Sequence, residues 1–182
     1  MTQYSKILYI DSDILPIRPL SSIFNATFSI DKDSLPYLFA ATYDFTAART
    51  SGKYRLPVPI LGPNDTHASD SPHAGLFLIH PSERQVNYLQ SIYDNPPKNQ
   101  DFTSFMEQSM LKYAYRNGRD YQCTRLSQMY NTQWPRLEDT NVSYAIHDKF
   151  WRDLSPVAWN LRRFWYAAWG EMQGWSEARQ RS

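Results

Sequence analysis

Lys6-Ile7-Leu8-Tyr9-Ile10-Asp11-Ser12-Asp13 is an apolar run that ends abruptly in two carboxylates. The residues from Ile7 to Ile10 are β-branched, aliphatic or aromatic throughout, which predicts a strand buried on both faces. Asp11 and Asp13 stand one residue apart at its carboxyl end, the edge where open α/β sheets bind ligands. Two carboxylates at i and i+2 on an extended segment repel unless water or a cation lies between them. A hard divalent ion such as Mn²⁺ or Mg²⁺ takes oxygen ligands and leaves positions open for phosphate oxygens. The pattern therefore points to a metal held for a phosphorylated substrate. Taken alone, the triplet is equally compatible with an Asp pair capping a turn.

The rest of the chain alternates strand and helix signals. Ile14 to Phe24 predicts an extended linker leading to a short helical turn capped near Ser21. Tyr37 to Thr42 predicts a second strand ending at Asp44. The stretch from Phe45 to Pro72 is rich in Gly, Pro, Ser, Asp and Asn, and reads as a long surface loop. Gly75 to His80 predicts a buried strand. A helix follows from Pro81 or Ser82 to about Tyr93, with Val86, Leu89 and Ile92 or Tyr93 on its buried face. Ser104 is placed to cap a helix through Tyr115 that Gly118 closes. Tyr144-Ala145-Ile146 predicts a short strand leading into His147, and Val157 to Met172 a final aromatic helix. These elements make residues 1–175 one domain, with Ser176 to Ser182 a frayed tail.

Composition excludes more than it assigns. The chain has 182 residues, 42% of them hydrophobic and 15% aromatic, enough for one core. Nineteen basic residues against eighteen acidic ones leave a net charge of +1, so nothing electrostatic favours nucleic acid. Cys123 is the single cysteine and excludes an internal disulfide. No apolar run is long enough to span a bilayer, and Met1 to Ser5 does not read as a signal peptide. Asn25-Ala26-Thr27, Asn64-Asp65-Thr66 and Asn141-Val142-Ser143 fit the N-glycosylation acceptor pattern. They tilt the expected compartment toward the Golgi or secretory lumen over the cytoplasm.

Several ordered segments resemble glycosyltransferase family 8, the glycogenin-like retaining enzymes. The opening block from Tyr9 to Phe24 is similar to that family's Y-x-D-x-D signature with its downstream L-x-x-L-F. Pro72 to Ser82 resembles its F-N-A-G-V…P-S segment, Glu107 to Leu111 its D-Q-x-x-L-N, and Tyr130-Asn131 its Y-N. His147-Asp148-Lys149-Phe150-Trp151 resembles the late H-x-K-x-W stretch that supplies a metal-binding His. The resemblance runs from Tyr4 to Trp151. It implies a GT-A-like α/β fold, a mixed sheet flanked by helices. Family members open with a strand-helix-strand half that binds uridine. Here the D-x-D strand comes within about a dozen residues of Met1, so an N-terminally truncated domain is expected.

The same resemblance implies a function and a site. A hexose would move with retention from a UDP-sugar to a carbohydrate or glycoconjugate acceptor, with Mn²⁺ or Mg²⁺ as cofactor and a homodimer as the candidate assembly. Asp11, Asp13 and His147 would hold the metal, Asp11 also reaching the ribose. Asp11, His73, Ala74, Gly75 and Lys149 would contact the donor. Glu107 and Gln108 would be the catalytic pair, Glu107 stabilising an oxocarbenium-like transition state. Three positions differ from the family pattern: His73 replaces an Asn, Ser104 replaces an Asp, and the gap between His147 and Lys149 is shorter. Gly75 suits a strand that a sugar approaches closely, or simply tight packing. Glu107 equally suits a helix dipole. Arg18, Asp44, His67 and His80 read as structural or solvated.

Two other readings use the same residues. One is a non-catalytic remnant of such an enzyme, acting through partner binding. The other is a metal-dependent phosphohydrolase, which would call for a second metal cluster nearby, and no further Asp/His grouping in the sequence supplies it.

Overall fold

The computed structural model describes residues 3–44, 71–98, 100, 102, 106–116, 118–148 and 156–180. Most of the expected loop from Phe45 to Pro72, the Ser104 cap, Lys149 and Trp151 lie outside the described residues. The architecture is a mixed sheet flanked by helices. Its centre is β1 (Ile7–Ile10), β5 (Phe39–Tyr43), β6 (Pro72–Ile79) and β7 (Thr124–Arg125), in the order β1-β6-β5-β7. The β1–β6 and β6–β5 pairs are antiparallel, and β5–β7 is parallel. A second sheet joins β2 (Ile14–Pro16), β9 (Ala145–His147) and β8 (Thr132–Gln133) in the order β2-β9-β8. A small hairpin pairs β3 (Ser29–Ile30) with β4 (Pro36–Tyr37).

The two hydrophobic strand patterns end up in different places. β5 is central and buried at every position, as its uninterrupted apolar sequence requires. β1 is an edge strand, paired among the described residues with β6 alone. Its Ile7, Leu8 and Ile10 are half-buried and Tyr9 is 43% exposed. The expectation of burial on both faces is therefore corrected. Tyr9 tolerates its exposure because its ring stacks on Phe77 at 4.7 Å while its hydroxyl donates to Asp11.

Helices α1 (Glu83–Asp94) and α2 (Met106–Tyr115) cover one sheet face. Of the two expected starts, Pro81 and Ser82, it is Ser82 that caps α1, accepting from the Gln85 N–H at 3.2 Å. Its buried stripe differs from the expected one: Val86 and Tyr93 are exposed, whereas Gln85 and Ile92 are buried. Gln85 replaces Val86 because both ends of its amide are satisfied. Nε2 donates to the His80 carbonyl and Oε1 accepts from the Tyr115 hydroxyl. On α2, Leu111, Ala114 and Tyr115 are buried against Phe39, Ala41, Tyr43 and Ala74. Phe39 and Tyr115 stack at 3.7 Å, joining strand to helix. Gly118, at φ +80°, closes the turn after α2.

Smaller differences from the sequence expectation have local causes. The turn at Ser21–Asn25 has Leu20 at its N-cap and no side-chain cap bond. Ile14–Pro16, expected as a linker, forms β2 because its backbone pairs with β9. The last helix, α3 (Pro156–Gln180), continues past Met172. It meets the body through Leu161, Phe164 and Trp165, packed on Ile146, Leu15 and Ile17. Among the described residues, no helix is long and apolar enough to cross a membrane.

Candidate metal centre

Asp11, Asp13 and His147 converge where β1 gives way to β2. Pairing continues one residue past β1, since the Asp11 N–H donates to the Gly75 carbonyl at 2.8 Å. The chain then turns, with Ile14 N–H donating to the Asp11 carbonyl at 3.1 Å, and Ile14 enters β2 opposite His147. The β2–β9 register therefore brings Asp13 beside His147 across more than a hundred residues of sequence. Asp148 N–H donates to the Asp13 carbonyl at 3.3 Å and holds the pairing closed.

Ligand atoms of Asp11, Asp13 and His147 all lie within 4.8 Å of one another. His147 Nε2 stands 3.2 Å from Asp13 Oδ1. Octahedral ligands about 2.1 Å from an ion sit about 3.0 Å apart along an edge, so this pair is close to cis spacing. Two carboxylates and one imidazole fit a hard or borderline divalent ion and leave half of an octahedron for other oxygens. The residues present thus fit the expected cofactor.

The site is closed on one side and open on the other. Asp13 is buried, and Asp11 is half-buried beside exposed Ser12. Tyr9 Oη donates to Asp11 Oδ1 at 2.7 Å. That hydrogen bond is the chief reason the phenol's pKa is pushed up to about 12; burial and nearby Asp11, Glu107 and Asp13 add to it. Glu107 is exposed in the first turn of α2.

The other candidates sit around β6. His73 is neutral near physiological pH, with burial as the main cause of a pKa lowered to about 4 and His147 next. Its ring meets His147 edge-on at 5.1 Å. Ala74 is buried, and its N–H donates to Gln108 Oε1 at 2.7 Å, leaving the Gln108 NH₂ as that side chain's other bonding group. Gly75 has a reason the sequence does not reveal. A methyl group there would stand 2.8 Å from His147 Cε1 and 3.0 Å from His73 Cε1. The missing side chain makes room for two imidazoles. Lys112 pairs with Asp44 at 2.9 Å, so Asp44 is an ion-pair partner, in keeping with its structural reading. Arg18 donates to the Ser143 and Asn141 carbonyls and is structural too.

Asn131 was visible only as part of Tyr130-Asn131. It is fully buried and contacts both histidines: one end of its amide lies 3.2 Å from His73 Nδ1, and its Oδ1 lies 2.9 Å from His147 Nδ1. A polar residue following a tyrosine carries no signal of this; only the fold brings it to the site.

No protein-family model matches the chain. Two Schizosaccharomyces pombe proteins, the uncharacterised C4C3.09 and C5H10.12c, are 29% and 30% identical over 94% and 93% of it. The chain spans about half the length of these curated relatives, 51% and 52%. Among solved structures it is similar to the glycosyltransferase GlyE of Streptococcus pneumoniae TIGR4, at 16% identity over 90% of this chain and 39% of that one, with a TM-score of 0.51. The apo form of GlyE gives 19% identity over 95% and 43%, with a TM-score of 0.53. The bifunctional glycosyltransferase WbbM gives 16% identity over 82% and 29%, with a TM-score of 0.51. The fold is thus that of GT-A-type glycosyltransferases.

Proposed function

We propose that this chain carries the metal and donor site of a retaining, family 8-like glycosyltransferase that takes a hexose from a UDP-sugar. The carrying observation is the Asp11–Asp13–His147 cluster at the carboxyl edge of a sheet with this fold. The ordered sequence motifs support the finer reading, and the similarity to GlyE and WbbM supports the glycosyltransferase-like fold beneath it. When bound, a divalent cation would neutralise the diphosphate leaving group as a Lewis acid.

The chain's own residues have separable roles in this reading. Asp13 and His147 hold the ion from the closed side, and Asp11 holds it from the open side with one oxygen steadied by Tyr9. His73 and the Gly75 backbone border the sugar. Gln108 fixes the β6 backbone through Ala74 and offers its NH₂ to a hydroxyl. Glu107, exposed on the rim, stabilises positive charge developing on the sugar. Lys149 is assigned the diphosphate from its sequence position alone. A lumenal location belongs to the same proposal; Asn25 and Asn141 are exposed as acceptors would be.

Calorimetric titration of the folded chain with UDP-glucose and UDP-galactose, with and without Mn²⁺, tests the proposal. The expected result is binding that requires the metal. A chain folded by circular dichroism that binds neither donor under either condition would favour the remnant reading instead.

A further inference from the structure

The hydrogen bonds around Asn131 can be assigned without choosing any proton position freely. The starting point is the Gly75 backbone N–H, which can only donate. It lies 3.0 Å from His73 Nδ1, so that nitrogen is an acceptor and the ring proton of His73 sits on Nε2. An amide oxygen cannot face this acceptor, so the end of Asn131 that lies 3.2 Å away is its NH₂. The same NH₂ donates to Thr42 Oγ1 at 3.2 Å. The amide oxygen is thereby turned toward His147 Nδ1, 2.9 Å away, and accepts a proton from it. Nε2 is then the free end of His147, 3.2 Å from Asp13 Oδ1, and because a lone pair and a carboxylate oxygen both accept, that gap calls for a cation or a proton between them.

We propose that Asn131 is the positioning residue of this site: its one buried amide sets opposite tautomers on His73 and His147, presenting His147 Nε2 as a ligand beside Asp13. The value of this for a cation rests on the metal-site reading above; the proton placed on His147 Nδ1 does not. Outer hydrogen bonds of this kind orient metal-binding imidazoles and commonly change affinity by about 10–100-fold when lost. Here the anchor is an amide held at both ends, and its orientation is dictated by backbone. Asn131 therefore cannot flip without placing two donors, or two acceptors, against each other at each histidine.

The test reads ring nitrogens directly. Long-range ¹H–¹⁵N spectra of the metal-free chain are simplified by its four histidines. The expected result is His73 protonated on Nε2 and His147 carrying a proton on Nδ1. A bare Nδ1 on His147 would overturn the proposal, and this spectrum needs no variant to fold. Mn²⁺ titration by electron paramagnetic resonance then compares the wild type with Asn131→Leu, which removes every bond of the amide. Leucine should weaken Mn²⁺ at least about tenfold and, in the ¹⁵N spectrum, release His147 into mixed tautomers. An affinity loss with both tautomers unchanged, or no loss at all, would make Asn131 a packing residue only. A wild-type chain that shows the expected tautomers yet binds no Mn²⁺ would sink the metal reading and leave the lock standing.

Discussion

On one side of the Asp11–Asp13–His147 cluster, Asp13, Asn131 and Gly75 are closed off from solvent, and every polar atom of the Asn131 amide is bonded to a neighbour. On the other, Tyr9 is 43% exposed, Glu107 is exposed, and Asp11 is steadied by one phenolic hydrogen bond. The closed wall is built from segments far apart in sequence and held together by its buried hydrogen bonds. The open rim comes largely from one strand end and can follow a ligand. Preorganised ligands lose little entropy on binding an ion, so affinity should reside in the wall, whereas adaptable ones set what else is accepted.

Asp13→Asn against Asp11→Asn tests that division most strongly. Asp13→Asn removes a charge from the buried wall and should weaken Mn²⁺ by at least about 100-fold, or about 3 kcal/mol, with the fold intact. Asp11→Asn should cost about tenfold, because water can replace an oxygen on the open side. Equal losses in calorimetric Mn²⁺ titrations would erase the distinction between wall and rim.

The rim was legible in the sequence and the wall only partly so. An apolar run ending in Asp11 and Asp13 announces a strand end bearing two carboxylates, one for the rim and one for the wall, because strand pattern and carboxylate spacing are both local. His147 was reachable through a motif rather than through physics. Asn131 lay within the Tyr130-Asn131 motif with no role attached and Thr42 in no motif, since their meaning comes from β5, β6 and β9 being brought together. β1 misled for a related reason: hydrophobicity reports what a strand can bury, while its place at the sheet edge is set by pairing. Val86 and Gln85 on α1 show the same limit, because a satisfied amide buries as well as a valine.

Acid should loosen the wall before the rim. Unfolded His73 takes its proton near 6.5, whereas the folded residue does so near 4, principally because of burial. Between those values the unfolded state binds more protons, so this stability is fully present above about pH 6.5 and is lost as the pH falls toward 4. The effect is on the order of 3 kcal/mol across the window. Urea unfolding at pH 7 and pH 4.5 should show it, and His73→Asn should flatten the slope. Parallel pH profiles in wild type and variant would show that His73 is not the residue responsible.

Gly75→Ala presses directly on the wall. His147 is gripped by Asn131 on one ring nitrogen and faces Asp13 with the other, so it cannot cheaply yield to a methyl group 2.8 Å away. Overpacking of this kind costs about 1–3 kcal/mol in stability. Displacement of the ring should add about a tenfold loss of Mn²⁺ affinity. A variant with wild-type melting temperature and Mn²⁺ affinity would show that β6 shifts freely and that the wall is softer than its hydrogen bonds suggest.

Tyr9→Phe makes the smallest change and asks the finest question about the rim. It keeps the ring stacked on Phe77 and deletes only the hydroxyl that donates to Asp11 Oδ1. Stability should change by less than about 0.5 kcal/mol, as for other surface substitutions. If Tyr9 orients Asp11 for the ion, losing that orientation should lower Mn²⁺ affinity about three- to fivefold. The opposite sign is equally readable. Tighter binding in the phenylalanine variant would mean that the phenol competes with the ion for the same carboxylate oxygen. Tyr9 would then restrain metal loading, and the adaptability of the rim would act to keep the site from closing on an ion before a donor arrives.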